Sequence, residues 1–180
     1  MRQTLLALAD LVFLAATALA VSRPETVVFL PLVDLSGVPG AAALVAPPIA
    51  AGLSARGYRV VEGEGVERFL EARRVRYLDS LPTSTLEALL AQCDATLALS
   101  VAIFRFREGL NPSVAVLLRL VRSDGSSAWE RFGALSADET QGVFGLGRLE
   151  SPAAVVDELV ERLVASLPKP GADAQFHRQQ

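Results

Sequence analysis

The side chains that most often carry chemistry are nearly absent from this sequence. Its 180 residues include one cysteine, Cys93, and one histidine, His177. A disulfide needs two cysteines, and the usual zinc sites need several cysteine or histidine ligands. The sequence therefore excludes an internal disulfide and a zinc site of that kind. It places no histidine near Cys93 in sequence, and we expect no metal and no cofactor.

Aromatic residues and charge of one sign are also scarce. Aromatic residues make up 6% of the chain and hydrophobic residues 51%, so the core must be aliphatic. The formal net charge is −3, and no long block of one sign occurs. Because nucleic-acid binding proteins concentrate positive charge in one patch, we expect no nucleic-acid partner.

The longest apolar run lies at the N-terminus. Arg2 is followed, from Thr4 to Val21, by TLLALADLVFLAATALAV, in which Asp10 is the one charged residue. A basic start, an apolar stretch and a small-x-small triplet, here Ala18-Leu19-Ala20, are the parts of a secretory signal peptide. The sequence therefore predicts a signal peptide over residues 1–22 and export to the periplasm or cell envelope of a bacterium.

An uncleaved membrane anchor and a soluble helix behind a misplaced start codon are the other interpretations of this run. The uninterrupted stretch from Leu11 to Val21 is shorter than the roughly 17 to 25 residues that cross a bilayer, which disfavours the anchor. No cysteine follows the run, which excludes lipid attachment at a lipobox. Membrane contact is expected only through this segment, if it stays uncleaved.

The next part of the chain alternates strands and helices. Thr26 to Val33 (TVVFLPLV) is almost continuously apolar, which predicts one buried strand with Pro31 near its exit. Because Pro47-Pro48 would disrupt a continuous helix, the reliable helix is predicted from Pro48 to Gly57. A short strand over Tyr58–Val61 follows.

Two amphipathic helices come next. The first is predicted over Gly65–Arg74, with Glu64 and Arg68 as a favourable i,i+4 pair. Ser84 and Glu87 have the spacing of a capping box, which predicts the start of the second helix at Ser84. Cys93 lies on the apolar face of that helix and is predicted to be buried packing.

From Ala95 the hydrophobic period changes to two, which predicts strands. The large residues change sides after Ile103, which predicts either a β-bulge or an exit from the covered part of the sheet near that residue. Asp124-Gly125 predicts a hairpin turn between strands over Val114–Leu120 and Ala128–Leu135. Ser151 and Pro152 are typical first residues of a helix, and the apolar pattern predicts that this last helix reaches Leu167.

Together these elements predict a single α/β domain over residues 24–168. Its sheet is mixed and five-stranded, with a C-terminal antiparallel meander, and about four helices flank it. Residues 169–180 are polar and predicted to be a disordered tail.

Four segments resemble the superfamily of the TolB amino-terminal domain and the globular part of the curli-secretion lipoprotein CsgG. They are VVFLPLVDLSG (Val27–Gly37), LSARGYRVV (Leu53–Val61), VERFLEARRVRY (Val66–Tyr77) and LLAQCDATLALSV (Leu89–Val101). The resemblance implies an envelope protein that takes part in binding or assembly, and it carries over no catalytic residue. The chain departs from the pattern in lacking the lipobox cysteine and long amphipathic membrane hairpins, and it is too short for the TolB β-propeller.

A glycine-rich stretch, QGVFGLGR, lies before the last helix. It matches neither G-x-G-x-x-G, which would need glycine in place of Glu150, nor a Walker loop. Beside a flexible surface loop, two functional interpretations stay open: a partner-binding loop, because its apolar residues are expected at the surface, and a nucleotide-binding loop. The candidate partner-binding residues are Gly142, Val143, Phe144, Gly145, Leu146, Gly147 and Arg148.

The remaining polar residues give no catalytic set. The basic cluster Arg68, Arg73, Arg74 and Arg76 is interleaved with Glu62, Glu64, Glu67 and Glu71, which predicts a solvated helix face rather than an anion site. Ser36, Ser80 and Ser100 lack the G-x-S-x-G context of a serine nucleophile. Four aspartates could in principle pair in space, but two of them, Asp34 and Asp94, are predicted turn residues; the other two are Asp79 and Asp138. His177 lies in the tail.

These observations predict an exported, non-catalytic envelope protein that acts in protein–protein interaction or assembly. Its partner is expected to be another envelope protein or a second copy of the chain. The alternative is a small-ligand or nucleotide-binding regulatory domain that uses the Gly142–Gly147 loop. An enzyme, such as an uncharacterised hydrolase, has the least support in the sequence.

Overall fold

A computed structural model describes residues 24–78, 80–140 and 147–171 of the chain. The strands are β1 (Thr26–Phe29), β2 (Val33–Asp34), β3 (Arg59–Val61), β4 (Leu97–Arg107), β5 (Ser113–Arg122) and β6 (Ser127–Ser136). The helices are α1 (Ala41–Ala55), α2 (Glu64–Ala72), α3 (Thr83–Gln92) and α4 (Pro152–Ala165). A 3-10 helix, Ala137–Thr140, follows β6.

The six strands form one mixed sheet in the order β3-β1-β4-β5-β6, with β2 pairing separately with β4. Strand β1 is parallel to β3 and β4, whereas β4, β5 and β6 form an antiparallel meander. The predicted α/β fold class is confirmed. The main path of the sheet has the five strands expected, and β2 is a short sixth strand.

The prediction of one strand over Thr26–Val33 is wrong, because the segment forms two. Strand β1 ends at Phe29, and the chain pairs with β4 again at Val33, which lies opposite Ala102. Pro31 lies between the two strands and has no N–H to donate to β4. Both strands run parallel to β4, so the interruption costs pairing without changing direction.

The predicted start of the first helix at Pro48 is also wrong, since α1 begins at Ala41 and runs through Pro47 and Pro48. Extending the helix to Ala41 buries Val45 completely and continues the buried face of the helix toward its N-terminus. The prolines leave the carbonyl oxygens four residues earlier without an N–H partner. Those carbonyls belong to Ala43 and Leu44, which are exposed, so water can solvate them.

The capping box predicted at Ser84 is not formed. Helix α3 begins at Thr83, and Pro82 is its N-cap, with no side-chain capping hydrogen bond. The Pro82 carbonyl accepts from the Leu86 N–H at 3.0 Å, which places Ser84 inside the first turn. The extended backbone of Pro82, with ψ of 136°, sets the helix start before Ser84.

Other local predictions are confirmed. The register of β4 against β5 shifts between Ile103 and Arg105, so the bulge lies where the large residues change sides. The Ser151 hydroxyl accepts from the Ala154 N–H at 3.1 Å and caps α4. On α2, Arg68 and Glu64 form the predicted ion pair at 2.6 Å.

Helices α1 and α4 cover one face of the sheet with an aliphatic core. Their contact is close: a Cβ atom at Gly52 would lie 2.9 Å from Cγ2 of Val164. A Cβ atom at Gly133 on β6 would lie 2.8 Å from a methyl carbon of Leu163. Glycine at these two positions therefore lets α4 pack directly on α1 and on the outer strand of the sheet.

The opposite face of the sheet is covered in part. Helices α2 and α3 pack there on β1 and on the start of β4, around Val28, Leu30 and Ala98. Val121 on β5 is partly buried and packs at the edge of this cluster, which we call the second cluster. Among the described helices, none is both long and apolar enough to cross a membrane.

Candidate functional site

The candidate site lies on the face of the sheet that α2 and α3 cover in part. It is the region beyond Val121, which these two helices leave uncovered. On β4 and β5, side chains at alternate positions face α1 and α4, and those between them face the other way. Within the described residues, no helix belongs to a core cluster with this part of the sheet. We call this surface the bare half-face; it includes Ala102, Phe104, Arg105, Arg107, Ala115, Leu117, Arg119, Glu130, Phe132 and Ala134.

Two phenylalanines are the main apolar groups of the bare half-face. Phe104 is 48% exposed and Phe132 is 60% exposed. Their rings meet edge to face, with centroids 6.1 Å apart and an angle of 64° between the planes. An edge-to-face pair stabilises the two side chains against each other but leaves much of their apolar area in water.

The β-bulge in β4 places Phe104 and Arg105 next to each other on the bare half-face. Ile103 lies opposite Val116 and Arg105 opposite Ala115, so Phe104 has no partner residue on β5. The extra residue reverses which side chains face the core, as a bulge does. Phe106 thereby returns to the core, where it is 3% exposed.

A groove of about 520 Å³ lies between the bare half-face and the chain that connects α2 to α3. Ala102 and Leu117 on the sheet contribute to it, as do Tyr77 and Leu78 from the connection and Leu35 from the end of β2. Tyr77 is 73% exposed. The groove therefore extends the apolar surface beyond the sheet.

The charge around this apolar surface is mainly positive. Arg76 and Arg119 line the groove, and none of its ten lining residues is acidic. In the sheet Arg119 lies between Ser100 and Glu130 on the neighbouring strands. Arg105 and Arg107 extend the basic surface along β4 and are exposed. Glu139, in the 3-10 helix after β6, lies near these two arginines. Among the residues that define the bare half-face, Glu130 is the acidic one.

The opposite side of the molecule has a second groove, of about 350 Å³, between α1 and α4. We call it the α1–α4 groove. Its lining is apolar, with Pro48 and Val160 among the residues, and it carries Asp157 and Glu161. Arg56 also lines it, and its guanidinium donates a hydrogen bond to the Leu167 carbonyl and keeps its positive charge. The two carboxylates of α4 outnumber this one guanidinium, so the charge of the groove is negative.

The glycine-rich loop predicted as a partner-binding site lies mostly outside the described residues. The residues outside the described part of the chain are Gly142, Val143, Phe144, Gly145 and Leu146. Their role in partner binding therefore stays a prediction. Gly147 and Arg148 are described, and Gly147 has a φ of +82°, a conformation that favours glycine.

Arg148 ties the end of this loop to the turn between β4 and β5. Its guanidinium donates to the Leu110 carbonyl at 2.5 Å and lies 3.5 Å from a carboxylate oxygen of Asp138. Asn111 donates to the other oxygen of Asp138 at 2.5 Å. Nucleotide binding at the start of α4 gains no support, because Ser151 already accepts from one of the first helix N–H groups.

The other residues considered from the sequence have structural roles. Asp34 accepts hydrogen bonds from the N–H and hydroxyl of Ser36, at 2.8 and 2.6 Å, and so forms the predicted turn. Asp94 has a φ of +48°, typical of a turn. Asp79 and His177 lie outside the described residues. No three potential metal ligands cluster among residues 24–78, 80–140 and 147–171.

Cys93 packs against the second cluster, as predicted, but is only partly buried. Burial raises the pKa of its thiol above the ordinary value. A raised pKa leaves less thiolate at neutral pH, which is the opposite of what a cysteine nucleophile needs.

The bare half-face was missed from the sequence, although two signals of it were present. Phe104 and Phe132 both lie beside arginines in alternating strands, at positions where solvent-facing polar residues are expected. Tertiary packing decides which strands α2 and α3 cover. The strand pattern alone therefore did not separate these phenylalanines from the core.

Comparison with known proteins gives the fold and no family. No protein-family model matches the sequence, and no curated protein matches it. Several solved structures are similar, and three of them show the extent of the likeness. The PelC dodecamer of Paraburkholderia phytofirmans is 18% identical, with a TM-score of 0.57 over 82% of this chain and 92% of that one. Lipoprotein GNA1162 of Neisseria meningitidis is 18% identical, with a TM-score of 0.56 over 79% and 100%. The hypothetical protein CT253 of Chlamydia trachomatis is 13% identical, with a TM-score of 0.52 over 79% and 94%. The chain therefore shares the fold of these three bacterial proteins.

Proposed function

We propose that this protein is exported to the bacterial cell envelope and acts there, without catalysis, by binding protein through the bare half-face. The observation that carries the proposal is the partial cover of the sheet. One face is packed under two helices, whereas the outer half of the other face leaves Phe104 and Phe132 in water. Contiguous exposed apolar surface with a polar rim marks interaction sites in soluble proteins.

The composition of the bare half-face favours a protein partner. Aromatic side chains and arginine are enriched at the centres of protein interfaces and dominate their binding energy. The bare half-face combines an aromatic pair with arginines around it, and the floor of its groove is made of small and aliphatic residues such as Ala102 and Leu117. A surface of this kind can bind a partner that has a flat apolar patch surrounded by acidic residues.

The groove lacks the parts of a hydrolytic site. Ser100 is the one serine that lines the groove, and Arg119 lies opposite it on β5. A serine nucleophile needs a base within hydrogen-bond reach, and the residues that line the groove include no histidine and no carboxylate. Binding is therefore the activity that these residues support.

Three observations support an envelope location. The N-terminal run has the parts of a signal peptide. The fold is shared with a lipoprotein, GNA1162, and with PelC, a dodecamer. The segments from Val27 to Val101 resemble the TolB amino-terminal and CsgG superfamily, whose members act in the envelope. From this resemblance we extend to the chain a role in binding or assembly at the envelope.

Export is tested by the N-terminus of the protein that cells accumulate. We expect full-length expression in a Gram-negative bacterium to give an envelope-fraction protein with one of two N-termini. It begins at Val21 after cleavage behind Ala18-Leu19-Ala20, or at Arg23 after cleavage behind the second small-x-small triplet, Ala20-Val21-Ser22. N-terminal sequencing of the fractionated protein measures this. An intact Met1 in the cytosolic fraction would overturn the exported half of the proposal.

Binding is tested by site-specific photocross-linking in living cells. A photoreactive phenylalanine analogue at Phe132 is expected to give a discrete cross-linked product in the envelope fraction. The matched control carries the analogue at Glu71, which is exposed on α2 outside the bare half-face, and is expected to give none. Equal yields from the two positions, or no product from Phe132, would contradict binding through the bare half-face.

A further inference from the structure

The two sides of the molecule carry opposite charge around apolar surfaces. The bare half-face has three arginines, Arg105, Arg107 and Arg119, and one glutamate, Glu130. Arg76 lines the groove beside it, and Glu139 lies near Arg105 and Arg107. The α1–α4 groove lies on the other side of the sheet, where the exposed carboxylates of Asp157 and Glu161 outnumber the partly buried guanidinium of Arg56. Each surface has an apolar centre, and the charges around the two centres are of opposite sign. The two surfaces therefore complement each other.

We propose that copies of this chain associate face to back, with the bare half-face of one copy bound to the α1–α4 groove of the next. This inference rests on the proposed function and names the partner as a second copy. In this contact Arg105 and Arg107 face Asp157 and Glu161 of the neighbour, and the aromatic pair packs on the small residues along α1 and α4.

The charges select this arrangement over the other ways of pairing two copies. A face-to-face dimer would bring arginines against arginines, and a back-to-back dimer would bring the carboxylates of α4 together. Like charges juxtaposed at an interface disfavour the wrong partner. The outer side of α2 is a poorer match for the bare half-face, because its acidic residues are interleaved with arginines and Glu64 is already paired with Arg68.

A face-to-back contact uses two different patches of each copy, so it repeats. Every bound copy leaves one free bare half-face and one free groove at the ends of the assembly. Such heterologous contacts give a closed ring when the rotation between copies closes, and an open filament when it does not. The expected product is therefore larger than a dimer.

Charge reversal tests this proposal on protein purified from the envelope of cells that express the full chain. We expect the unmodified protein to sediment as an assembly larger than a dimer, and to dissociate as salt is raised from about 0.05 M to about 0.5 M. The R105E/R107E variant and the D157R/E161R variant are each expected to sediment as monomers at concentrations where the unmodified protein is assembled. The change replaces attraction by repulsion in both variants.

The combined variant R105E/R107E/D157R/E161R provides the decisive comparison, because it restores opposite charges across a face-to-back contact and not within a face-to-face contact. We expect it to assemble again. The matched control E67R/E71R makes the same type of change on α2 and is expected to assemble as the unmodified protein does. Thermal unfolding of each variant, expected within a few degrees of the unmodified protein, separates lost assembly from lost folding.

Failure of this inference is distinguishable from failure of the proposed function. An unmodified protein that stays monomeric at about 0.1 mM overturns self-assembly. Failure of the four-residue variant to assemble overturns the face-to-back pairing. In either case, a cross-linked product from Phe132 that contains a different protein leaves the proposed function standing, whereas the absence of any product removes both.

Discussion

Ser151, Asp34 and Asp124 show how single polar side chains fix the ends of elements in this fold. Ser151 caps α4, Asp34 ends β2 by accepting two hydrogen bonds from Ser36, and Asp124 accepts from the Ser126 N–H at 2.8 Å in the β5–β6 turn. Each is a short side chain that satisfies a backbone N–H where the regular pattern stops. All three positions were predictable from sequence, because the chemistry involved reaches only two or three residues along the chain.

Removal of the cap at Ser151 should destabilise the protein by about 1 kcal/mol. In Ser151→Ala the Ala154 N–H loses its acceptor at the start of a helix whose apolar face is buried. Urea unfolding followed by circular dichroism measures the difference. Ser151→Asp keeps an acceptor at the same place and serves as the control. Equal unfolding free energies for the alanine variant and the unmodified protein would contradict the capping role.

The carboxyl of Asp124 should titrate below its ordinary range. Hydrogen bonds from the Ser126 side chain, and then from its backbone N–H, lower the pKa of Asp124 because they stabilise the carboxylate. A lowered folded-state pKa means that the turn gains stability above the unfolded-state pKa and loses it as the pH falls through the folded-state pKa. NMR titration of the Asp124 carboxyl carbon measures the shift. Ser126→Ala should move the midpoint back toward the ordinary value; an unchanged midpoint would contradict the assignment of the cause.

At the scale of elements, α1 shows where local sequence rules fail. Two adjacent prolines predicted a helix start, and they lie instead inside a helix of 15 residues. The buried residues Ala41, Val45, Ile49 and Leu53 recur every four positions and continue across the prolines. Full burial of a side chain such as Val45 contributes about 1.5–3 kcal/mol, which is comparable to the cost of a proline in a helix interior. Tertiary packing therefore decides the helix start, and it is not visible in a local window.

Replacement of Pro47 by alanine should stabilise the protein by about 1–2 kcal/mol. The change restores an N–H donor for the Ala43 carbonyl inside α1, and the gain is reduced by the greater freedom of the unfolded chain. Chemical unfolding measures the change. Pro152→Ala makes the same replacement at the first position of α4, where proline is tolerated, and should leave stability unchanged or slightly lower. A destabilised Pro47→Ala variant would show that the prolines hold α1 in place.

The meander shows the opposite case, in which the sequence was sufficient. The strands β4 and β5 and the turn at Asp124-Gly125 were predicted, because period-two alternation and turn residues are local signals. The bulge after Ile103 was one of the two explanations that the same pattern allowed. The break of the first strand at Pro31 was not predicted. Its apolar run continues through the proline, and the loss of pairing depends on the position of β4 beside it.

At the scale of the whole molecule, the main finding is the unequal cover of the two faces of the sheet. About four helices were expected, and the described part of the chain has four. Their distribution, two over one face and two over part of the other, depends on contacts between distant segments. The candidate site is a product of that distribution. For this reason sequence reasoning favoured the glycine-rich loop, whose partner-binding role stays a prediction.

The same scale explains why apolar residues remain in water. Phe104 and Phe132 contribute little to the core, and an exposed phenylalanine gains most of its burial free energy only when a partner covers it. Removal of such a side chain should change the free energy of unfolding little and the free energy of association much. Removal of a core side chain should mainly change the free energy of unfolding, so the two cases can be distinguished by measurement.

The most direct test of binding through the bare half-face is the Phe132→Thr variant, which keeps a residue suited to a strand while removing the ring. We predict an unfolding free energy within about 1.5 kcal/mol of the unmodified protein, since only the edge contact with Phe104 is lost. Sedimentation of the envelope-extracted protein should, in contrast, show loss of the large species. A complex of unchanged size, or a loss of stability of about 3–5 kcal/mol as for a buried phenylalanine, would contradict the account.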